Sequence, residues 1–186
     1  MKKIALLMLC ILFLCGCHSD DSAINSALSL RKQIISSEKC SFDCVITADY
    51  SDRIYFFSMN CSFDKNGSMI FSVIEPESIS GISGTVDTQG GKLTFDDQAL
   101  FFQLLADGYL SPVSAPWLFM KTLRSGYIDS GTKQENGIYI SIDDSYEENP
   151  LTVEIWTDQQ NLPVRAEMLW NGRRVLSLDV TNFSCL

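Results

Sequence analysis

Cys40-Ser41-Phe42-Asp43-Cys44-Val45-Ile46-Thr47-Ala48-Asp49-Tyr50 is the stretch that decides the fold. Cys40, Phe42, Cys44, Ile46, Ala48 and Tyr50 alternate with Ser41, Asp43, Thr47 and Asp49, the period-two pattern of a strand with one wet face. Val45 departs from that pattern. Beyond a turn at Ser51-Asp52 the alternation resumes, and Tyr55, Phe57, Met59, Cys61 and Phe63 share one face. An even-residue loop puts both apolar sets on the same side of the sheet, so the pairing is strongly specified. Lys65-Asn66-Gly67 is a hairpin signal, and Met69 to Ile74 forms a third strand that Glu75-Pro76 stops. Three long strands in meander order, with no helix between them, exclude a parallel doubly wound sheet.

On the N-terminal side of this meander the period is helical from Ala23. Ile24, Ala27, Leu28, Ile34 and Ile35 lie on one side with Arg31 and Lys32 on the other, and Ser22 or Asn25 is placed to cap. On its C-terminal side, Ile82 to Thr88, the turn Gln89-Gly90-Gly91 and Lys92 to Phe95 predict another hairpin. Leu100 to Leu105 is a strand or a short helix. Ser111-Pro112-Val113-Ser114-Ala115-Pro116 carries helix-start chemistry, Ser caps with Pro in the first turn, and predicts a helix from Val113 to Arg124. Trp117, Leu118, Phe119 and Met120 make that helix apolar over more than one face, so it is buried or covers something hydrophobic. From Gly137 the chain is β again: Ile138 to Ile142, then an acidic loop from Asp143 to Pro150, then Leu151 to Thr157, Pro163 to Trp170 and Arg173 to Phe183. Asn171-Gly172 is a type I′ turn signal. The expected class is α+β, mainly antiparallel β.

The first residues set the compartment. Lys2 and Lys3 precede an apolar run from Ile4 to Leu14, far short of the ~20 residues that span a bilayer, and a small-residue cleavage site follows. That is a secretory signal. Leu14-Cys15-Gly16-Cys17 resembles the lipobox of bacterial lipoproteins, which implies cleavage before Cys17 and acylation of that residue. The expected organisation is a signal peptide over residues 1–16, a lipidated tether over 17–22 and a single domain over 23–186. Two or more acyl chains, at roughly 0.8 kcal/mol per buried methylene, hold a protein far more firmly than one. The expected location is extracytoplasmic, on the membrane of the cell envelope.

The formal net charge is -9 before cleavage, and removing Lys2 and Lys3 with the leader makes it more negative. An acidic chain has no electrostatic reason to bind nucleic acid or anionic head groups. Mature length, about 170 residues, suffices for one domain with its own core. Export also permits disulfides.

The order helix, long meander, Ser-Pro-initiated helix and closing meander resembles the LolA/LolB family of periplasmic lipoprotein carriers and its lipid-anchored, GerS-like germination relatives. The residues that carry the likeness are Leu151-Thr152-Val153-Glu154-Ile155-Trp156-Thr157-Asp158, Leu162-Pro163-Val164-Arg165-Ala166-Glu167 and Asn171-Gly172, with Glu75-Pro76-Glu77 and Leu110-Ser111-Pro112 as less specific landmarks. The resemblance implies an incomplete antiparallel barrel closed by the N-terminal and central helices. It implies that Phe42, Ile46, Tyr55, Phe57, Met59 and Trp117 face a hydrophobic cavity that takes an acyl chain or a partner segment. The bland reading of the same face is a filled core. A second function class is an envelope scaffold whose partner is a cell-wall enzyme such as an amidase.

Catalysis is not expected. His18 is the sole histidine and sits beside Cys17 on the tether, so an imidazole base has no ordered site. Ser83 in Gly81-Ile82-Ser83-Gly84 is not a G-x-S-x-G elbow, and the glycines there fit a bulge or tight strand. Asp143, Asp144, Glu147 and Glu148 lack the pattern of a calcium loop. With no C-x₂-C pair, neither zinc nor a thioredoxin-type centre is expected, and no cofactor is expected. Cys40 and Cys44, about 13 Å apart on one strand, cannot bond to each other. With Ser51-Asp52 at the turn, Cys61 lies opposite Phe42 and diagonal to both; a register shifted by two residues would instead permit a Cys44–Cys61 disulfide. Buried free thiols are the alternative. Cys185 reaches Cys40 only if the last strand ends beside the start of the first.

Overall fold

The computed structural model describes residues 20–49, 53–95, 98–102, 105–106, 109–146 and 150–186. The signal peptide, the lipobox, Cys17 and His18 lie outside the described residues, as do Ser51-Asp52, Asp107-Gly108, Glu147 and Glu148. Among the described residues there are two α-helices, α1 (Asp21–Ser36) and α2 (Ala115–Ser125). The first strands are β1 (Lys39–Asp49), β2 (Ile54–Asp64), β3 (Met69–Glu75), β4 (Ser83–Asp87), β5 (Gly90–Phe95) and β6 (Gln98–Phe102). A small ladder of β7 (Leu105–Ala106) with β8 (Tyr109–Leu110) precedes α2. After it come β9 (Tyr127–Gln134), β10 (Gly137–Asp143), β11 (Thr152–Thr157), β12 (Pro163–Trp170) and β13 (Arg173–Cys185).

Eleven strands form one antiparallel sheet in the order β6-β5-β4-β3-β2-β1-β13-β12-β11-β10-β9. Two meanders, β1–β6 and β9–β13, are therefore joined where the first strand meets the last. The sheet stays open, with β6 and β9 at its edges. A strand spacing of about 4.8 Å would set β2 and β10 about 24 Å apart along a flat sheet. The short helix α2 nevertheless contacts β2, β13 and β10, so the sheet curls around it.

The β1–β2 register pairs Phe42 with Cys61, Cys44 with Met59 and Ile46 with Phe57, the register expected for a Ser51-Asp52 turn. This overturns the candidate Cys44–Cys61 disulfide. Both are buried free thiols with Sγ atoms 3.9 Å apart, because a diagonal pair does not bring the two Cα atoms to bonding distance. Hydrogen bonding to Cys44, then burial, pushes the Cys61 thiol up, away from thiolate. The disulfide is Cys40–Cys185, residues directly opposite on β1 and β13 and 145 apart in sequence. It staples the seam between the two meanders, where Glu38 and Lys39 N–H also donate to the Leu186 carbonyl.

Helix α1 starts at Asp21, inside the stretch expected as tether, and its cap is Asp20, which accepts from Ser22 N–H at 2.8 Å. Its buried stripe is Ala23, Ala27, Leu30 and Ile34, while Leu28 and Ile35 are exposed. The phase differs from the expected one because the helix packs closely through its small residues. A Cβ added at Gly131 of β9 would lie 3.3 Å from the Ala23 Cβ. Strand β9 itself has no apolar alternation, and so escapes a search for period two. Leu100 lies in strand β6, and α2 is preceded by a 3-10 turn, Pro112–Ser114.

Candidate functional site

The apolar side of the sheet faces the helices, and the cross-strand partners define it row by row. One row runs Phe42, Cys61, Phe71, Gly84, Leu93, Leu100 from β1 to β6. Burial falls steeply along it: Phe71 is 1% exposed, Leu93 is half-buried and Leu100 is 65% exposed. On the same face Phe95, two residues beyond Leu93, is 48% exposed. The helical cover thus ends before the apolar face does.

Helix α2 explains the sealed part. Phe119 meets Phe42 edge-on with ring centroids 5.6 Å apart, and Phe183 stacks on the same ring at 5.9 Å. Trp117 is buried, and its Nε1–H donates to the Gly67 carbonyl at 2.9 Å, pinning α2 to the β2–β3 turn. At the other end Arg31 of α1 donates from Nε to the Leu123 carbonyl at 2.7 Å and from Nη2 to the Gly126 carbonyl at 2.8 Å. A cation at the helix C-terminus satisfies carbonyls that have no intrahelical partner. Burial lowers the Arg31 pKa without removing its charge from physiological pH. Periodicity alone had put Arg31 on the polar side.

Of the residues expected to line a cavity, Phe42, Ile46, Met59 and Trp117 are fully buried members of the main hydrophobic cluster. Phe57 packs against that cluster half-buried, and Tyr55, stacked on it at 6.4 Å, is 40% exposed. The six are thus not equivalent: four lie in the sealed interior and two at its margin. Leu93, Phe95 and Leu100 were missed as site residues. The signal for them was their alternation, which said apolar face but not uncovered face.

Gly84 belongs to the same row for a steric reason. A Cβ there would come within 2.7 Å of the Phe71 ring and 2.4 Å of the Lys92 carbonyl oxygen, so only glycine lets the ring lie over β4. Its neighbour Ser83 lies on the opposite face, in a groove of about 530 Å³ with Ser41, Asp43, Asn60, Ser72 and Asn182. There Asp43 accepts from the side-chain amides of Asn60 and Asn182. Those bonds cross three strands. In the acidic loop Asp143 accepts from Thr152 Oγ1 at 2.8 Å, and Asp144 accepts from Leu151 N–H at 3.0 Å and faces Lys121 at 3.5 Å. These carboxylates fasten the ends of the loop. Among the described residues no group of His, Cys, Asp and Glu could hold a metal ion.

The outer face carries a second groove, of about 460 Å³, whose lining includes Val45, Phe56, Ile74, Glu75 and Glu77. Phe56 there is 62% exposed. Farther round, Arg165 donates to Glu167 at 2.6 Å and to Asp179 at 2.8 Å, and Arg174 reaches Glu167 at 3.1 Å. Among the described residues no helix is long and apolar enough to cross a membrane.

No protein-family description and no curated protein matches the sequence. The solved structures similar to this chain include LolA-superfamily and lipoprotein-sorting proteins, all at low identity. A LolA superfamily protein from Nitrosomonas europaea is 13% identical, with 86% of this chain and 93% of that one covered and a TM-score of 0.46. A putative outer membrane lipoprotein-sorting protein domain from Vibrio parahaemolyticus is 7% identical over 89% and 92%, with a TM-score of 0.48. The lipoprotein LppX from Mycobacterium tuberculosis is 12% identical over 87% and 93%, with a TM-score of 0.42.

Proposed function

We propose that this is a non-catalytic, extracytoplasmic lipoprotein, anchored through acylated Cys17, that holds a hydrophobic ligand on the uncovered part of its inner face. The ligand is an acyl chain, free or carried by a lipoprotein. The observation that carries this reading is the loss of burial along the row from Phe71 to Leu100. An acyl chain needs no hydrogen-bond partner, and each methylene moved from water onto such a surface contributes about 0.8 kcal/mol. The half-buried Phe57 and stacked Tyr55 supply further apolar margin.

The test is a fluorescent fatty-acid titration of the full chain, with copurified lipid identified by mass spectrometry. Leu100→Asp and Phe95→Asp should abolish uptake while leaving the thermal melt in place, since both side chains are exposed. Uptake at wild-type affinity in both variants overturns the reading. A second reading is a GerS-like envelope scaffold that partners a cell-wall enzyme such as an amidase. It is favoured by the apolar residues that Val45, Phe56 and Ile74 place on the outer face.

A further inference from the structure

We infer that the outer-face groove bounded by Val45, Phe56, Ile74 and the Glu75–Glu77 rim docks a partner protein through an apolar segment flanked by Lys or Arg. Except for Phe57, which also lines this groove, it shares no residue with the inner-face ligand site and does not depend on it. Apart from the exposed Ile54 and Ile70, the outer faces of β1, β2 and β3 are otherwise built largely from Ser, Thr, Asn and Asp, as the alternation requires. Val45, Phe56 and Ile74 break that rule on three adjacent strands, and they converge on one groove instead of being scattered. Val45 is paired with Ser58, and Ser58 with Glu75, where an irregularity in the β2–β3 pairing leaves Ile74 as the extra residue beside Glu75. Single exposed apolar residues are ordinary, whereas a grouped set with a polar rim marks an interaction surface.

Charge selects the occupant. Glu75 and Glu77 line the groove and are exposed, and the chain as a whole is strongly acidic. Across the β1–β13 pairing Val45 faces Asp179, which Arg165 already engages. An anionic bilayer or an acidic peptide would be repelled from this rim, whereas a basic segment gains both attraction during encounter and a place for its apolar side chains.

The full chain held in phosphatidylcholine nanodiscs, with empty nanodiscs as the blank, is passed over an immobilised peptide of alternating Lys and Leu and over a matched Glu and Leu peptide. Binding to the Lys peptide alone is expected. Phe56→Ser and Ile74→Ser should each weaken it about tenfold or more, as removal of a central apolar anchor does. Glu75→Gln with Glu77→Gln should lower affinity and flatten its salt dependence. None of these changes should alter fatty-acid uptake. The inference is overturned if both peptides bind alike, if Phe56→Ser and Ile74→Ser proteins with native melts bind undiminished, or if phosphatidylglycerol nanodiscs compete for the groove. Should Phe56→Ser fail to fold, Ile74→Ser decides alone.

Discussion

Strands β10–β13 and strands β4–β6 lie on either side of β1–β3 in one sheet and have different surroundings. Ile140, Ile155, Met168 and Leu178 are sealed on the inner face, whereas Phe95 and Leu100, on that same face, stand largely in solvent. The cause is where the helices lie. Helix α1 contacts β9 and β10, and α2 contacts β10, β13 and β2; neither makes comparable contact with β11 and β12, which lie between strands the helices touch, or with β4–β6, which lie beyond them. An alternating strand therefore says which side is apolar and leaves open whether anything covers it. The outer sides differ as well: beyond the covered meander they carry the Arg165, Glu167, Arg174 and Asp179 ion pairs, and beyond β1–β3 they carry Val45, Phe56 and Ile74.

The largest expected effect contrasts the two regions directly. Phe119→Ala removes a ring that fills the space between α2 and Phe42, and should cost about 3 to 5 kcal/mol in urea unfolding. Leu100→Ala, at the uncovered end, should change stability by about 0.5 kcal/mol or less. Similar costs at both sites would break the comparison and mean that the inner face is either covered throughout or loose throughout.

Next comes the seam. Cys40→Ser with Cys185→Ser opens a loop closed across 145 residues, and should cost about 2 to 5 kcal/mol. Peptide mapping without reductant should return Cys40 linked to Cys185, with Cys44 and Cys61 alkylatable only after unfolding. A linked Cys44–Cys61 peptide would mean that the β1–β2 register has slipped by two residues.

The smallest effect concerns the outer side of the covered meander. Burial acts to raise the Glu167 pKa, but hydrogen bonds from Arg165 and Arg174 outweigh it and hold the carboxyl below its ordinary 4.5. A depressed carboxylate stabilises the fold above its unfolded pKa, and that contribution is lost as pH falls through the folded value. Stability should therefore drop on acidification below about 4.5, and Glu167→Gln should shallow that drop. An unchanged acid limb would show the ion pairs to be too solvated to count.

Several strands and the central helix were legible because their signals are local. Met69 to Ile74, Ile138 to Ile142 and Pro163 to Trp170 fall within the observed β3, β10 and β12. Alternation excluded a β1–β2 slip by one residue, which would turn every apolar side chain outward, but left open two registers two residues apart, between which the structure chose. Strand β9 was not legible. Tyr127 to Gln134 carries no period, and it is a strand because β10 pairs with it.

By itself the sequence determined a mainly antiparallel protein with one apolar face, an acidic surface and an apolar central helix, because each of these is written in residues a few positions apart. Tertiary structure decided what depends on distant partners. The disulfide went to Cys40 and Cys185 because β13 ends beside the start of β1. The phase of α1 was set by Gly131, which admits Ala23 closely, and Arg31 was drawn to the end of α2 by carbonyls that lacked partners. Which apolar side chains became core and which remained surface was settled by the reach of two short helices over a sheet wider than they can cover.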